Sequence, residues 1–207
     1  MICNKDNKLI TCTLFLDLSK AFDCVDHKVL LEKLFFYGVK GTPLKLLASY
    51  LDTRFRCTKI GDTKSSFLNV TCGVPQESVF GPLLLLIYIN GIVKASNFDT
   101  ILYADDINLH ISWKKHEILE KTVNHELKNR SQVHVNKLCI NYSKSNFMLM
   151  NNPKNINFSV SINHHPISKQ SSLKYLGVIL DDKRNWKPQI EKLVTQLSKS
   201  CGMLFKL

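Results

Sequence analysis

Sequence signals for membranes are missing from this chain. Its longest apolar run, Leu83–Ile89, is far short of the roughly 20 residues that span a bilayer, and is expected instead as a buried helix. Met1 to Asp6 has no signal-peptide form. None of the seven cysteines (Cys3, Cys12, Cys24, Cys57, Cys72, Cys139 and Cys201) forms a C-x-x-C pair, which argues against a zinc framework. Their odd count, with several in apolar runs, predicts reduced, buried thiols in an intracellular protein, nucleus or cytoplasm being left open. Internal repeats and low-complexity linkers are absent, so 207 residues make one or two domains. Acidic residues are scarce: 17 against 28 Lys and Arg, a net charge of +11. Spread along the chain rather than gathered in a tail, that excess suits an anionic partner, nucleic acid or a membrane surface, or simple solubility.

What is present reads as an α+β chain. Thr11 to Leu16 is a buried strand ending at Asp17. Asp26 to Tyr37 has helical spacing, with Val29, Leu30, Leu34 and Phe35 on one face and Gly38 as cap. Thr42 as N-cap and Pro43 start a helix to Leu51. Phe55 to Ile60 and Ser66 to Val70 form a hairpin around Gly61-Asp62-Thr63-Lys64. Gly73 to Gly81 is a loop, and Pro82 opens a helix over Leu83 to Val93. Lys115 to about Lys128 is a helix with Ile118, Leu119, Val123 and Leu127 on one side. Strands follow near Leu138 to Asn141 and Phe147 to Met150, then a turn over Asn151 to Lys154. Phe158, Val160 and Ile162 mark another strand, Leu173 to Leu180 one more, and Trp186 to the end a basic amphipathic helix. This order predicts a sheet with helices packed on one face.

Tyr103-Ala104-Asp105-Asp106 carries the most chemistry. Apolar runs flank it, and Leu109 and Ile111 alternate with polar Asn108 and His110, giving strand, tight turn, strand. Asp-Asp there is either an ordinary turn pair or a pair of hard oxygen ligands for a divalent cation. Should the strand ending at Asp17 lie beside this hairpin, three carboxylates converge. That is the ligand set for two metal ions that clamp the attacking and leaving oxygens of phosphoryl transfer.

The motifs resemble the reverse transcriptase of non-LTR (LINE-type, jockey-like) retrotransposons. Leu16 to His27, Gly73 to Leu84, Tyr103 to Asp106, Leu138 to Ser145 and Tyr175 to Val178 resemble that family's five palm motifs in order, the last followed by Leu180-Asp181 and Asn185-Trp186 at the start of the thumb. The resemblance implies a right-hand polymerase palm, an antiparallel sheet with helices on one face, over residues 1–180, with the thumb helix starting at 181–207. It implies RNA-directed DNA polymerase activity by two-metal nucleotidyl transfer from a dNTP to a DNA primer 3′-hydroxyl on an RNA template, with no membrane partner. Asp17, Asp105 and Asp106 would hold two Mg²⁺ ions, or Mn²⁺ in their place. Lys144 would steady the pyrophosphate, or is a plain surface lysine. Leu18, Phe22 and Gln76 would contact the nucleotide, Phe22 as the ribose gate or as an ordinary core residue. Tyr175, Leu176 and Gly177 would form the primer grip, and the basic terminal helix would track the nucleic-acid backbone.

The chain departs from the family pattern in places. Glu77 replaces a glycine that gives backbone freedom and close approach, and Phe80 replaces leucine. Glu126 to Leu138 is one residue short and lacks a tryptophan. The resemblance also implies that most of the fingers lie outside the sequence, that the thumb stops short and that no endonuclease domain is included. The rival readings are an inactive remnant that only binds nucleic acid and a metal-dependent nuclease, the latter at odds with Gln76, Phe22 and Lys144.

Overall fold

Residues 10–19 alternate strictly: Cys12, Leu14, Leu16 and Leu18 are buried on one face, while Thr11, Thr13, Phe15 and Asp17 take the other. The apolar face of such a strand must be covered by a core, while the other can stay partly open to water. The structure, a computed structural model, describes residues 9–91, 97–132, 139–152 and 156–205. In chain order these form β1 (Ile10–Ser19), a 3-10 turn (Ala21–Cys24), α1 (His27–Phe36), α2 (Thr42–Leu51), β2 (Phe55–Arg56), β3 (Lys59–Ile60), β4 (Thr63–Lys64), β5 (Leu68–Asn69), α3 (Phe80–Ile89), β6 (Asp99–Tyr103), β7 (Asp106–Trp113), α4 (His116–Gln132), β8 (Cys139–Ile140), β9 (Asn146–Met150), β10 (Ser161–Ile162), β11 (His165–Pro166), β12 (Ser168–Lys169), β13 (Ser172–Tyr175), β14 (Val178–Asp181) and α5 (Lys187–Leu204). The architecture is α+β, as the sequence predicts. Ile92, Val93, Leu138, Pro153, Lys154, Lys206 and Leu207, which belong to predicted elements, lie outside the described residues.

The main sheet runs β12-β9-β1-β7-β6, with β8 also pairing β1. Its apolar face packs Cys12, Leu14, Leu16 and Leu18 against Leu30 and Leu34 of α1, Leu84, Leu85 and Tyr88 of α3, and Leu119, Val123 and Leu127 of α4. The sheet is not wholly antiparallel: β12 joins β9 in parallel at the edge.

Local chemistry sets the helix ends. Asp26 caps α1, its carboxylate accepting from the Lys28 and Val29 amides at 3.0 and 3.1 Å. For α2 the cap is Gly41, at φ 64°, rather than the predicted Thr42, which is already helical. Ile118 and Phe35 lie outside the buried faces of their helices, at 43% and 53% exposure. In α3 the apolar run is only partly covered, Leu83 remaining 53% exposed. No helix among the described residues is long and apolar enough to cross a membrane.

Other differences from the sequence reading have physical causes. Thr63-Lys64 pairs with Lys59-Ile60, so the turn between them is only Gly61-Asp62. Of Phe158 to Ile162 only the last two residues join a ladder. Side chains of α4 partner the rest: Glu120 accepts from the Ser159 amide and hydroxyl (2.9 and 2.7 Å), and Asn124 bonds the Ser159 carbonyl and the Ser161 amide (2.9 and 3.0 Å). Leu173 to Leu180 is not one strand but the β13–β14 hairpin, turning at Leu176-Gly177. Among the five cysteines whose side chains are described, only Cys12 is buried, which pushes its thiol up; Cys24 is half-buried, and Cys57, Cys72 and Cys201 are exposed.

The loop before α3 is fixed by close approach. Gly73, at φ 92°, donates to the Val25 carbonyl, and Val74 to that of Phe22, both at 2.7 Å. The Ser78 hydroxyl donates to Pro75 O and accepts from the Gly81 amide, both at 2.9 Å. A Cβ on Gly81 would stand 2.0 Å from Pro75 O. Gly81→Ala is therefore expected to lower stability by about 1–3 kcal/mol. Gly202→Ala, on α5 with open space around it, should raise it by about 0.5–1 kcal/mol. Urea unfolding midpoints of the two variants, moving in opposite directions, check both.

Candidate active site

Asp17 and Asp106 stand directly opposite each other in the β1–β7 ladder. Asp105 precedes Asp106 on a two-residue turn closed by the Tyr103–Asp106 pair. Its other residue, Ala104, has φ 51°, where an L side chain is strained and where hairpin turns of the primed types place their first loop residue. Asp105 is exposed, whereas Asp106 is half-buried. Burial first, then the charges of Asp105 and Asp17, push the Asp106 carboxyl above its ordinary value of 3.8. Asp105 and Asp17 are thus near enough for their charges to act on Asp106, although among the described residues no group of three or more His, Cys, Asp or Glu is placed to hold a metal ion.

Asp17 is clamped from its other edge. On that side β8 pairs Leu18 and Ser19, and β9 pairs Thr11 to Phe15. Between them the chain leaves the ladder for Asn141 to Ser145. The Asn141 amide donates to Asp17 O at 2.8 Å, and the Asp17 amide donates to the Ser145 hydroxyl at 3.2 Å. That hydroxyl in turn donates to Asn141 O at 2.8 Å. The excursion holds the Asp17 backbone and carries Lys144 to the same side of the sheet as the carboxylates.

The β13–β14 hairpin closes the third side. Leu176 and Gly177 have φ 46° and 85°, the two positive values that a type I′ turn needs. Leucine fits that region poorly, yet Leu176 occupies it at the exposed tip. The Tyr175 ring meets Phe15 edge-on at 5.4 Å between centroids. Burial, then the Asp106 charge, push the Tyr175 phenol upward, with Asn108 as a partial offset.

The result is a cavity of about 290 Å³ lined by Asp17, Asp106, Lys144, Tyr175 and Leu176, together with Asn108, Asn146 and Lys174. The other predicted residues lie outside this lining, Asp105 among them at the exposed turn. Leu18 turns its side chain into the core at 6% exposure, so only its backbone could serve a nucleotide. Phe22 is half-buried on the 3-10 turn, and its carbonyl holds Val74. Gln76 and Glu77 are exposed on the loop before α3. Glu77 has no positive φ, so conformation does not demand glycine there and only close approach remains as a reason for it. Gly177 is exposed at the hairpin turn.

No motif marks Asn108, Asn146 or Lys174, and Ser145 ends the Leu138 to Ser145 motif with no role of its own. Parity could have found Asn108, which lies two positions past Asp106 and so shares its face. It is only 2% exposed, not the solvent-facing residue that alternation suggests, and its side chain faces the Tyr175 hydroxyl.

A central antiparallel sheet with paired carboxylates at a hairpin turn and helices behind it is a polymerase palm. The family model for reverse transcriptase (RNA-dependent DNA polymerase) matches residues 2–180, and the chain belongs to that family. It is 29% identical over 201 residues to a probable RNA-directed DNA polymerase from transposon X-element of Drosophila melanogaster, covering 93% of this chain and 22% of that protein. It is also 29% identical over 202 residues to the RNA-directed DNA polymerase from mobile element jockey of the same organism (91% and 21%). The chain thus spans about a fifth of the length of these curated relatives. Its fold matches apo telomerase from Candida tropicalis truncated from its C-terminal domain, with a TM-score of 0.59 at 11% identity over 86% of this chain and 35% of that one. The same telomerase in complex with a TWJ fragment of telomeric RNA matches at 0.58 and 10%, over 90% and 32%.

Because its folded value is raised, Asp106 binds a proton more tightly in the folded chain than in the unfolded one. Stability therefore falls as pH rises from the ordinary aspartate value through the raised one. Without divalent cations at pH 7, Asp106→Asn is expected to melt at a higher temperature than the parent, and the gap should shrink on acidification below 3.8. Thermal scans at several pH values measure this.

Proposed function

We propose that residues 1–180 are the palm, and 181–207 the start of the thumb helix, of an RNA-directed DNA polymerase that extends a DNA primer on an RNA template from dNTPs. The observation that carries this reading is the register pairing of Asp17 with Asp106, both of which line one cavity with Lys144 and the Tyr175-Leu176 tip, with Asp105 next in the chain at the turn.

The donor set fits two Mg²⁺ ions. Every candidate ligand is a hard carboxylate oxygen, the kind Mg²⁺ takes. Mg²⁺ is commonly held by one or two carboxylates plus substrate phosphates, so a closed protein cage is not required. Asp17, Asp105 and Asp106 would hold the ions; when bound, these neutralise phosphate charge and acidify the primer hydroxyl. The remaining roles belong to side chains. Lys144 places a cation where the leaving pyrophosphate develops charge. The Leu176-Gly177 tip, rigid by its turn type, positions the primer end. Phe22 and Gln76 sit on the segment and loop joined through Val74, where a nucleotide's sugar and base would be read. A second reading, nucleic-acid binding without catalysis, is favoured by Glu77, which would set a negative charge beside a triphosphate.

Primer extension on an RNA template with dNTPs and Mg²⁺ or Mn²⁺ tests the proposal. The chain should extend the primer, and Asp17→Asn or Asp105→Asn should each lower the rate at least about a hundredfold. Glu77→Gly should raise it. A folded chain that extends nothing, with or without Glu77→Gly, would support the second reading.

A further inference from the structure

The arm between α2 and the loop before α3 contributes nothing to the core. Every residue from Phe55 to Asn69 is exposed, and the two short ladders β2–β5 and β3–β4 are held together by their own pairing. Such an arm needs only polar residues. It instead carries four large apolar side chains in solvent: Phe55, Ile60, Phe67 and Leu68 are 61%, 79%, 67% and 69% exposed.

Its charge is equally unexplained by folding. From Phe55 to Asn69, Arg56, Lys59 and Lys64 stand against a single carboxylate, Asp62. Lys59 and Lys64 are direct register partners, an arrangement that like charges disfavour. Among the described residues neither lysine has an ion-pair partner, while Arg56 reaches Asp23 at 3.6 Å. That contact ties the base of the arm to the 3-10 turn carrying Phe22. The other leg returns through Cys72, which bridges Asp26.

We infer that this ribbon is a binding surface for single-stranded RNA, separate from the carboxylate cavity. Cations meet the phosphates, and the exposed rings and aliphatic chains meet unpaired bases, whose faces are free only in a single strand. The choice of RNA rests on the reverse-transcriptase reading; the surface itself rests on charge and exposure alone. A phosphate contact relieves the Lys59–Lys64 repulsion, and a base stacked on Phe55 or Phe67 removes apolar surface from water.

The test is fluorescence anisotropy of the 207-residue chain with a labelled single-stranded RNA in EDTA, over a range of salt. EDTA removes divalent ions, so binding is measured apart from catalysis. Lys59→Ala with Lys64→Ala should weaken binding and lower the slope of log K against log salt by about 1.4, two single-strand phosphate contacts. Phe55→Ala with Phe67→Ala should weaken it about tenfold or more while leaving that slope unchanged. These residues are exposed, and unchanged melting temperatures confirm that the variants are folded. Unchanged affinity in both pairs overturns the proposal, as does tighter binding to duplex than to single strand, or capture by anionic phospholipid vesicles without RNA binding. Ribbon variants that lose RNA affinity while the parent shows no primer extension uphold the surface and reject the polymerase; normal extension with intact RNA affinity in the variants does the reverse.

Discussion

The placement of Asp17 opposite Asp106 in the central ladder is the constraint around which this fold is arranged. Two carboxylates directly opposite in an antiparallel ladder push the central strands apart, and a third, Asp105, adds to the field. The opposite face of the same strands supplies the compensation. Cys12, Leu14, Leu16 and Leu18 are buried against three helices, and hydrophobic contact of that extent outweighs the repulsion of partly solvated charges. The apolar half of the sheet thus keeps the carboxylates together when nothing is bound between them.

Three short devices aim side chains into the cavity, and two of them use backbone conformations that their residues dislike. Ala104 has positive φ in the turn before Asp105, and Leu176 has it at the tip of β13–β14. Such residues persist where the surroundings over-determine them. Here the surroundings are the flanking ladders, Tyr103–Asp106 on one side and Tyr175–Val178 on the other. The third device, the Asn141 to Ser145 excursion, uses hydrogen bonds instead, with Ser145 bridging Asp17 N and Asn141 O.

Much of this was legible in the sequence. Alternation gives β1, the Asp-Asp turn between two apolar runs gives β6–β7, 3.6-residue spacing gives α1 and α4, and the Thr42-Pro43 start gives α2. What was hidden shares a cause: a partner supplied from elsewhere in the fold. The β13–β14 turn carries Leu176-Gly177 rather than Asn-Gly, so no local signal splits that stretch. Phe158 to Val160 has strand alternation, but Glu120 and Asn124 side chains satisfy Ser159, and no ladder forms there. Asn108 reads as a solvent-facing residue because the hairpin that covers it comes from more than sixty positions later in the chain. For the site, the carboxylates are plain from their motif, whereas Ser145 and Asn146 gain meaning only once β8 and β9 are seen on the same edge of β1.

That shared edge makes the Asn141 to Ser145 excursion a spacer of fixed count. β8 and β9 are both in register with β1, on either side of Asp17. Deleting or inserting one residue in the excursion would slide β9 by one position, and a one-residue slip in a strand turns every side chain to the opposite face. Phe147 and Leu149 would leave the core, and Met148 would enter it. The arm from Phe55 to Asn69 has no such coupling to the sheet, since it pairs only with itself. Length variation among copies of this domain should therefore collect in the arm and be excluded from the five residues beside Asp17.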